Sequence, residues 1–287
     1  MKTLGTGRPF GKEQFNTLAQ SGTKSQTSTN NKAEVIVNCK GTEMNKVEPL
    51  MQRAKKKTIT QKVVLSLIDV AKKREDYSEI QAYWNTFHCQ NKIVSSENKL
   101  YGKYCKNRNC TLCCGIRKAD IINRYYPILK NWKEPYFVTL TAKAVPAKSL
   151  NKRMRDMQRG FKIILNRSKK RNQRGKGIKL IGIKSLECNF NPEARTYNPH
   201  FHLIVANKEI ADYIMNEWCK LLTFKFARTY TQKKRKVDNL TGALKETIKY
   251  GSKILTNPEK KTKRNQNITP FIYTSALHNI IVSMKGN

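Results

Sequence analysis

The chain has 287 residues and carries 57 Lys and Arg against 20 Asp and Glu, a formal net charge of +37. That excess is beyond what solubility requires and points to a polyanionic partner, of which nucleic acid is the commonest. With 38% hydrophobic residues a core can be buried, while no apolar run has membrane-spanning length and no secretory signal opens the chain, so a cytoplasmic protein of one large or two small domains is expected.

The first 44 residues are polar, rich in Ser, Thr, Asn, Gly and Lys, and lack hydrophobic period; a basic, mostly disordered arm is set at residues 1–59. From Thr60 to Thr86 the pattern turns amphipathic, with Val63, Val64, Leu67, Ile68 and Ala71 at helical spacing. Residues 87–116 hold a cysteine cluster, and Ala119–Trp132 reads as a short helix, so residues 60–132 form a helical and cysteine-rich segment. A domain at residues 133–257 follows. Tyr136–Thr141 reads as a strand, Leu150–Leu165 as a basic helix and residues 167–177 as a charged loop. Ile178–Cys188 and His200–Ala206 are predicted strands joined by the loop Asn189–Asn198. Lys208–Leu222 is a predicted helix with Ile210, Ile214, Trp218 and Leu221 on one stripe; a strand at Phe224–Tyr230 and a helix at Leu240–Leu255 follow. Residues 258–287 are a basic linker and an apolar tail. This order predicts an α+β fold, an antiparallel-rich central sheet with helices on one face, preceded by a helical zinc segment.

Clustered cysteines in a cytoplasmic chain read as metal ligands. Cys105-x4-Cys110-x2-Cys113 has knuckle-like spacing, and Cys89 lies 16 residues upstream. Four thiolates suit a tetrahedral structural Zn²⁺, with Cys114 or His88 open as substitutes. Arg108, Arg117 and Lys118 flank the cluster and suit DNA contact.

Only four histidines occur, and two of them are His200 and His202. On a strand both imidazoles face one side, with Phe201, Leu203 and Val205 facing the core. A surface strand would show the same spacing, so the pair gains weight from Glu187. A hairpin would bring that carboxylate beside the histidines, making a three-ligand site for a divalent ion such as Mn²⁺ or Mg²⁺. Glu246, Tyr250 and Lys253 share one face of the predicted last helix. A tyrosine hydroxyl can attack phosphorus, a lysine can neutralise phosphoryl oxygens and a glutamate can act as a base.

Phe137-Val138-Thr139-Leu140-Thr141, then Pro199-His200-Phe201-His202-Leu203-Ile204-Val205, then Tyr250-Gly251-Ser252-Lys253 together resemble the three ordered motifs of HUH endonucleases. The likeness is greatest to single-tyrosine, rolling-circle plasmid replication initiators, and it covers roughly Cys89 to Leu255. Phe201 stands where that family has a hydrophobic residue between two metal-binding histidines. The resemblance implies His200 and His202 as ligands, Tyr250 as nucleophile and Lys253 as its helper. It implies an acidic third ligand at Glu187 and a glutamate one turn before the tyrosine at Glu246. The implied partners are plasmid origin DNA, presented as a single-stranded or hairpin nick site, and a bacterial host helicase and polymerase.

Two other activities stay in view. A mobilisation relaxase or single-tyrosine transposase would share the chemistry, although relaxases usually carry three clustered histidines and such transposases usually lack the cysteine group. A non-enzymatic, zinc-dependent DNA-binding protein would leave Tyr250 and the histidine pair incidental.

Overall fold

A computed structural model describes residues 44–96, 99–248 and 270–285. Two helices open it, α1 (Met44–Lys73) and α2 (Tyr77–Phe87). The chain reverses between them at Glu75, which adopts a left-handed φ of 57°, and the Asp76 side chain caps α2 by accepting from the Glu79 amide. Val64, Leu67, Ile68 and Ala71 of α1 pack on Tyr83 of α2, which is the stripe read from Thr60 onward. The helix nevertheless starts at Met44, inside the stretch set aside as an arm. Its early turns hold Pro49 and the run Lys55–Lys57, and residues 51–59 bury nothing, so they read as part of the basic arm.

A small hairpin, β1 (Ile93–Ser96) with β2 (Lys99–Gly102), leads into α3 (Thr111–Leu129). Then comes the sheet. Its strands are β3 (Tyr136–Thr141), β4 (Gly182–Asn191), β5 (Thr196–Val205) and β6 (Lys233–Lys236). They lie in the order β4-β5-β3-β6, with every neighbouring pair antiparallel. α4 (Ala147–Gln173) and α5 (Lys208–Phe226) cover one face. Val138, Leu140, Phe201, Leu203 and Val205 point into that layer and meet Met154, Phe161, Ile164 and Trp218. The two helices approach closely at Gly160, where an added Cβ would lie 3.1 Å from the Leu221 side chain. This is the α+β architecture expected, with its main helical layer on one face.

The opposite face is only partly covered. Phe137 and Ile204 project from it onto Leu129 at the end of α3 and onto Ala243 and Leu244 of α6 (Leu240–Thr247). Asn239 caps α6, its Oδ1 accepting from the Gly242 amide at 2.9 Å.

Two elements lie elsewhere than the sequence suggests. The strand read at Phe224–Tyr230 is instead the end of α5, followed by a short 3-10 turn at Thr229–Thr231. The strand is β6, four successive basic residues that no propensity scale favours; pairing with β3 overrides propensity. The charged loop at 167–177 is largely helix, since α4 continues to Gln173. The apolar tail forms α7 (Pro270–Ser283). Ala276, Ile280 and Met284 join the sheet core, while Leu277 and Ile281 pack on the α1–α2 core.

Candidate functional site

The β4–β5 hairpin fixes the site. Its turn is closed by Asn191, whose Oδ1 accepts from the amides of Glu193 and Ala194, and by Arg195 in a left-handed conformation. That turn sets Asn191 opposite Thr196, and the register then sets Glu187 opposite His200 and Ser185 opposite His202. A slip of one residue would turn both histidines into the apolar layer. On the other side β3 places Thr141 opposite His200 and Thr139 opposite His202.

Glu187, His200 and His202 are all buried, at 2%, 5% and 8% exposure. The Glu187 carboxylate lies 2.9 Å from His202 Nε2 and 3.6 Å from His200 Nε2. The rings stand nearly perpendicular, at 86°, with centroids 4.8 Å apart. His200 Nδ1 donates to the Asn198 carbonyl at 2.9 Å, which leaves Nε2 as the free lone pair aimed at the carboxylate. Burial lowers the His200 pKa, against the opposing pull of the Asn198 carbonyl and the Glu246 charge, which favours the neutral imidazole. His202 Nδ1 is 3.3 Å from the Thr139 hydroxyl. Two Nε2 atoms and one carboxylate oxygen lie within 4.8 Å of one another. This donor set fits a divalent ion, with both histidines oriented by outer hydrogen bonds and coordination positions to spare for phosphate oxygens. The orienting groups Asn198 and Thr139 escape sequence reasoning because only the register reveals them.

Glu246 sits on α6, over the same face, within electrostatic range of His200. Tyr250 and Lys253, the other two residues of that sequence constellation, lie outside the described residues.

The second cluster lies between α2 and α3. Cys89 follows α2, Cys105 follows the small hairpin, and Cys110 and Cys113 stand at the start of α3. Their four sulfurs lie within 4.8 Å of one another, with Cys113 Sγ 3.6 Å from Cys89 Sγ and 3.7 Å from Cys105 Sγ. Hydrogen bonds from Cys105, Cys113 and Cys89 hold the Cys110 thiol far below the ordinary thiol range, and the same neighbourhood pushes Cys113 far above it. A thiolate packed among three further sulfurs suits a tetrahedral soft-ligand metal site. The substitutes are not part of it. The Cys114 thiol donates to the Arg108 carbonyl at 2.8 Å and burial raises its pKa to about 11, while His88 stacks on Trp84.

Among the described residues, no helix is long and apolar enough to cross a membrane. Residues 98–279 match a family profile described as "Replication protein". A curated protein of Streptococcus pneumoniae serotype 2, "Protein rep", is 28% identical over 196 residues, 61% of this chain and 58% of that protein. A "Protein rep" of Staphylococcus aureus is 32% identical over 117 residues, 38% of this chain and 48% of its own length. One of Bacillus amyloliquefaciens is 29% identical over 117 residues, 38% of this chain and 33% of its own length. The matched stretch thus spans 58% or less of the length of each of these relatives. No solved structure matches the chain.

Proposed function

The chain belongs to the Replication protein family, and from that premise we propose that it initiates rolling-circle replication of a plasmid by nicking one strand of the origin and joining itself to the new 5′ end through Tyr250. The observation that carries the reading is the convergence of Glu187, His200 and His202 on one buried face, with Glu246 of α6 in range of His200. Tyr250 follows three residues after Thr247, the last residue of α6.

Glu187, His200 and His202 would hold Mn²⁺ or Mg²⁺, which when bound polarises the scissile phosphate and stabilises the departing 3′ oxygen. Tyr250 Oη attacks phosphorus; the new O–P bond forms as the bond to the 3′ oxygen breaks. The tyrosine loses its proton and the 3′ oxygen gains one, leaving a 3′-OH primer. Lys253 offsets charge on the phosphoryl oxygens. In a second cleavage Tyr250 is already esterified, and Glu246 acts as the base that activates water. Rejoining of the displaced strand reverses the first step, with a 3′ hydroxyl attacking the phosphotyrosyl bond. Cys89, Cys105, Cys110 and Cys113 would hold a structural Zn²⁺. The partners are the plasmid origin, as a single-stranded or hairpin nick site, and the host helicase and polymerase in a bacterial cytoplasm.

Incubation of the full chain with a labelled pool of single-stranded oligonucleotides and Mn²⁺, followed by a denaturing gel, tests this reading. The parent forms a covalent adduct, and Tyr250→Phe forms none while still binding the pool. An adduct that survives in Tyr250→Phe moves the nucleophile elsewhere. A parent that binds the pool without forming an adduct overturns the strand-transfer chemistry.

A further inference from the structure

We propose that β6 and the 3-10 turn before it form a guide for single-stranded DNA, in which Lys233 and Arg235 hold the phosphates of the strand to be cut and Tyr230 stacks on one of its bases. The proposal rests on the function above and names how the substrate approaches that site.

β6 is an edge strand of four successive basic residues, all exposed. Exposed lysines on an edge are a common guard against edge-to-edge pairing, and for that purpose either face of the strand serves. Here the two faces differ. Lys234 and Lys236 stand on the α5 side and are neutralised, Lys234 by Asp212 of α5 and Lys236 by Glu134 at 2.6 Å. Lys233 and Arg235 stand on the other side, since Lys233 is the register partner of Thr139 and Arg235 of Phe137. The Arg235 guanidinium lies 5.0 Å from the centre of the Phe137 ring, which holds the side chain against the sheet. Neither Lys233 nor Arg235 pairs with an acid among the described residues.

That side of the sheet is the one that carries the Glu187, His200 and His202 cluster. Lys233, Thr139 and His202 form one row across β6, β3 and β5. Two strand spacings separate the ends of the row, about 10 Å. A nucleic-acid strand covers that distance in about three nucleotides even at the 3.4 Å rise of a duplex. Lys233 and Arg235, two residues apart on β6, stand about 6.7 Å apart along it, roughly the spacing of successive phosphates in an extended strand, and line the approach to a metal-type site.

The turn at Thr229–Thr231 extends the line to the His200 end. Gln232 Oε1 accepts from the Thr141 amide at 2.7 Å and its Nε2 donates to the Arg228 carbonyl at 3.0 Å. The Thr141 hydroxyl lies 3.2 Å from that of Thr231, and Thr141 is the register partner of His200. On this anchored turn Tyr230 is 71% exposed, with Arg228 donating to its hydroxyl at 2.6 Å. An exposed, oriented aromatic ring beside cations is a stacking platform for an unpaired base, and bases within a duplex offer no free face to it. That decides for a single strand as the occupant.

Fluorescence anisotropy of a labelled single-stranded oligo(dT), in buffer without added divalent metal, provides the test, with a duplex of equal length alongside. Glutamine substitutions keep the stems and the strand: Lys233→Gln with Arg235→Gln on one face, Lys234→Gln with Lys236→Gln on the other. The first pair weakens oligo(dT) binding roughly tenfold and makes the slope of log K against log salt shallower by about 1.4, since each single-strand phosphate contributes about 0.7. The second pair binds like the parent. Tyr230→Ala weakens oligo(dT) roughly tenfold and the duplex far less. The guide is overturned if the first pair binds like the parent, if the second pair loses as much, or if duplex binding falls in step with oligo(dT). Because no cleavage is read, these results are independent of the adduct assay, whose failure in the parent would overturn the proposed chemistry and leave the guide standing or falling on binding alone.

Discussion

Along β5, residues that alternate between the two faces of the sheet meet opposite physical conditions. Phe201, Leu203 and Val205 enter the layer under α4 and α5, where they are fully buried among Phe161, Met154 and Trp218. His200 and His202 enter the other face and meet Glu187. Both faces exclude most water. Burial on the first is favourable by about 25 cal/mol per Å² of apolar surface, whereas burial on the second desolvates groups that water would hold better. One face therefore stabilises a frame that the other face, left to itself, would weaken. Because side chains alternate, the single turn at Asn191–Arg195 aligns both faces at once.

The sharpest way to break this comparison is to truncate the apolar face. Phe201→Ala should cost about 3–5 kcal/mol in urea denaturation, since the ring is fully buried against Phe161 and Trp218. A loss under about 1 kcal/mol would mean that the α4–α5 layer is not what carries the sheet. On the polar face the expectation reverses. Glu187→Gln should leave the metal-free protein within about 1 kcal/mol of the parent, because it removes a buried charge while keeping the shape. Mn²⁺ at a hundred times its dissociation constant should stabilise the parent by about 2.7 kcal/mol and the variant by far less, read as the shift of the thermal midpoint. Equal shifts would remove Glu187 from the ligand set.

The smallest effect concerns a lysine on the apolar face. Lys184 projects from β4 into the apolar layer, with its ammonium 4.9 Å from the Phe201 ring and 5.2 Å from Phe161, donating to Gln158 at 2.8 Å. Burial lowers its pKa to about 8, against about 10.4 in the unfolded chain. Between those values the unfolded state binds more protons, so stability rises with pH there. The penalty is full below pH 8 and fades as pH passes about 10.4. Lys184→Met should therefore stabilise by about 1–3 kcal/mol at pH 7, with the advantage vanishing near pH 10.5. Melting curves at the two pH values decide it; an advantage that persists at the higher pH would assign the gain to packing.

The sequence exposes the polar face better than the frame that supports it. Tyr136–Thr141 reads as a strand because aromatic and β-branched residues fill it, and it is β3. The grouping of Cys89, Cys105, Cys110 and Cys113 is legible from spacing, and the structure leaves the substitutes outside it because Cys114 is held by Arg108 and His88 stacks on Trp84. β6 is hidden because Lys233–Lys236 looks like a solvated charge run, and only β3 gives it a partner. The orientation of His200 depends on a backbone carbonyl, that of Asn198, and main-chain acceptors leave no trace in residue identity. The start of α1 is hidden because Pro49 and the run Lys55–Lys57 read as a basic arm, and residues 51–59 pack against nothing that would mark them as core.

α7 gives the molecule a temporal order as well as a shape. Tyr83 of α2 waits for His278, 2.9 Å from its hydroxyl, and Arg74 waits for Asn279 and Ser275. Asn279 in turn donates to Tyr197, beside the hairpin that aligns the histidines. The α1–α2 pair buries Val64, Leu67, Ile68, Ala71 and Tyr83 between its own helices, and Leu277 and Ile281 of α7 cover that core from the far end of the described chain. Contacts of such long sequence separation close slowly, because the loop entropy is spent before they form. The Arg74 and Tyr83 contacts form only once one segment from each end of the described chain has come together.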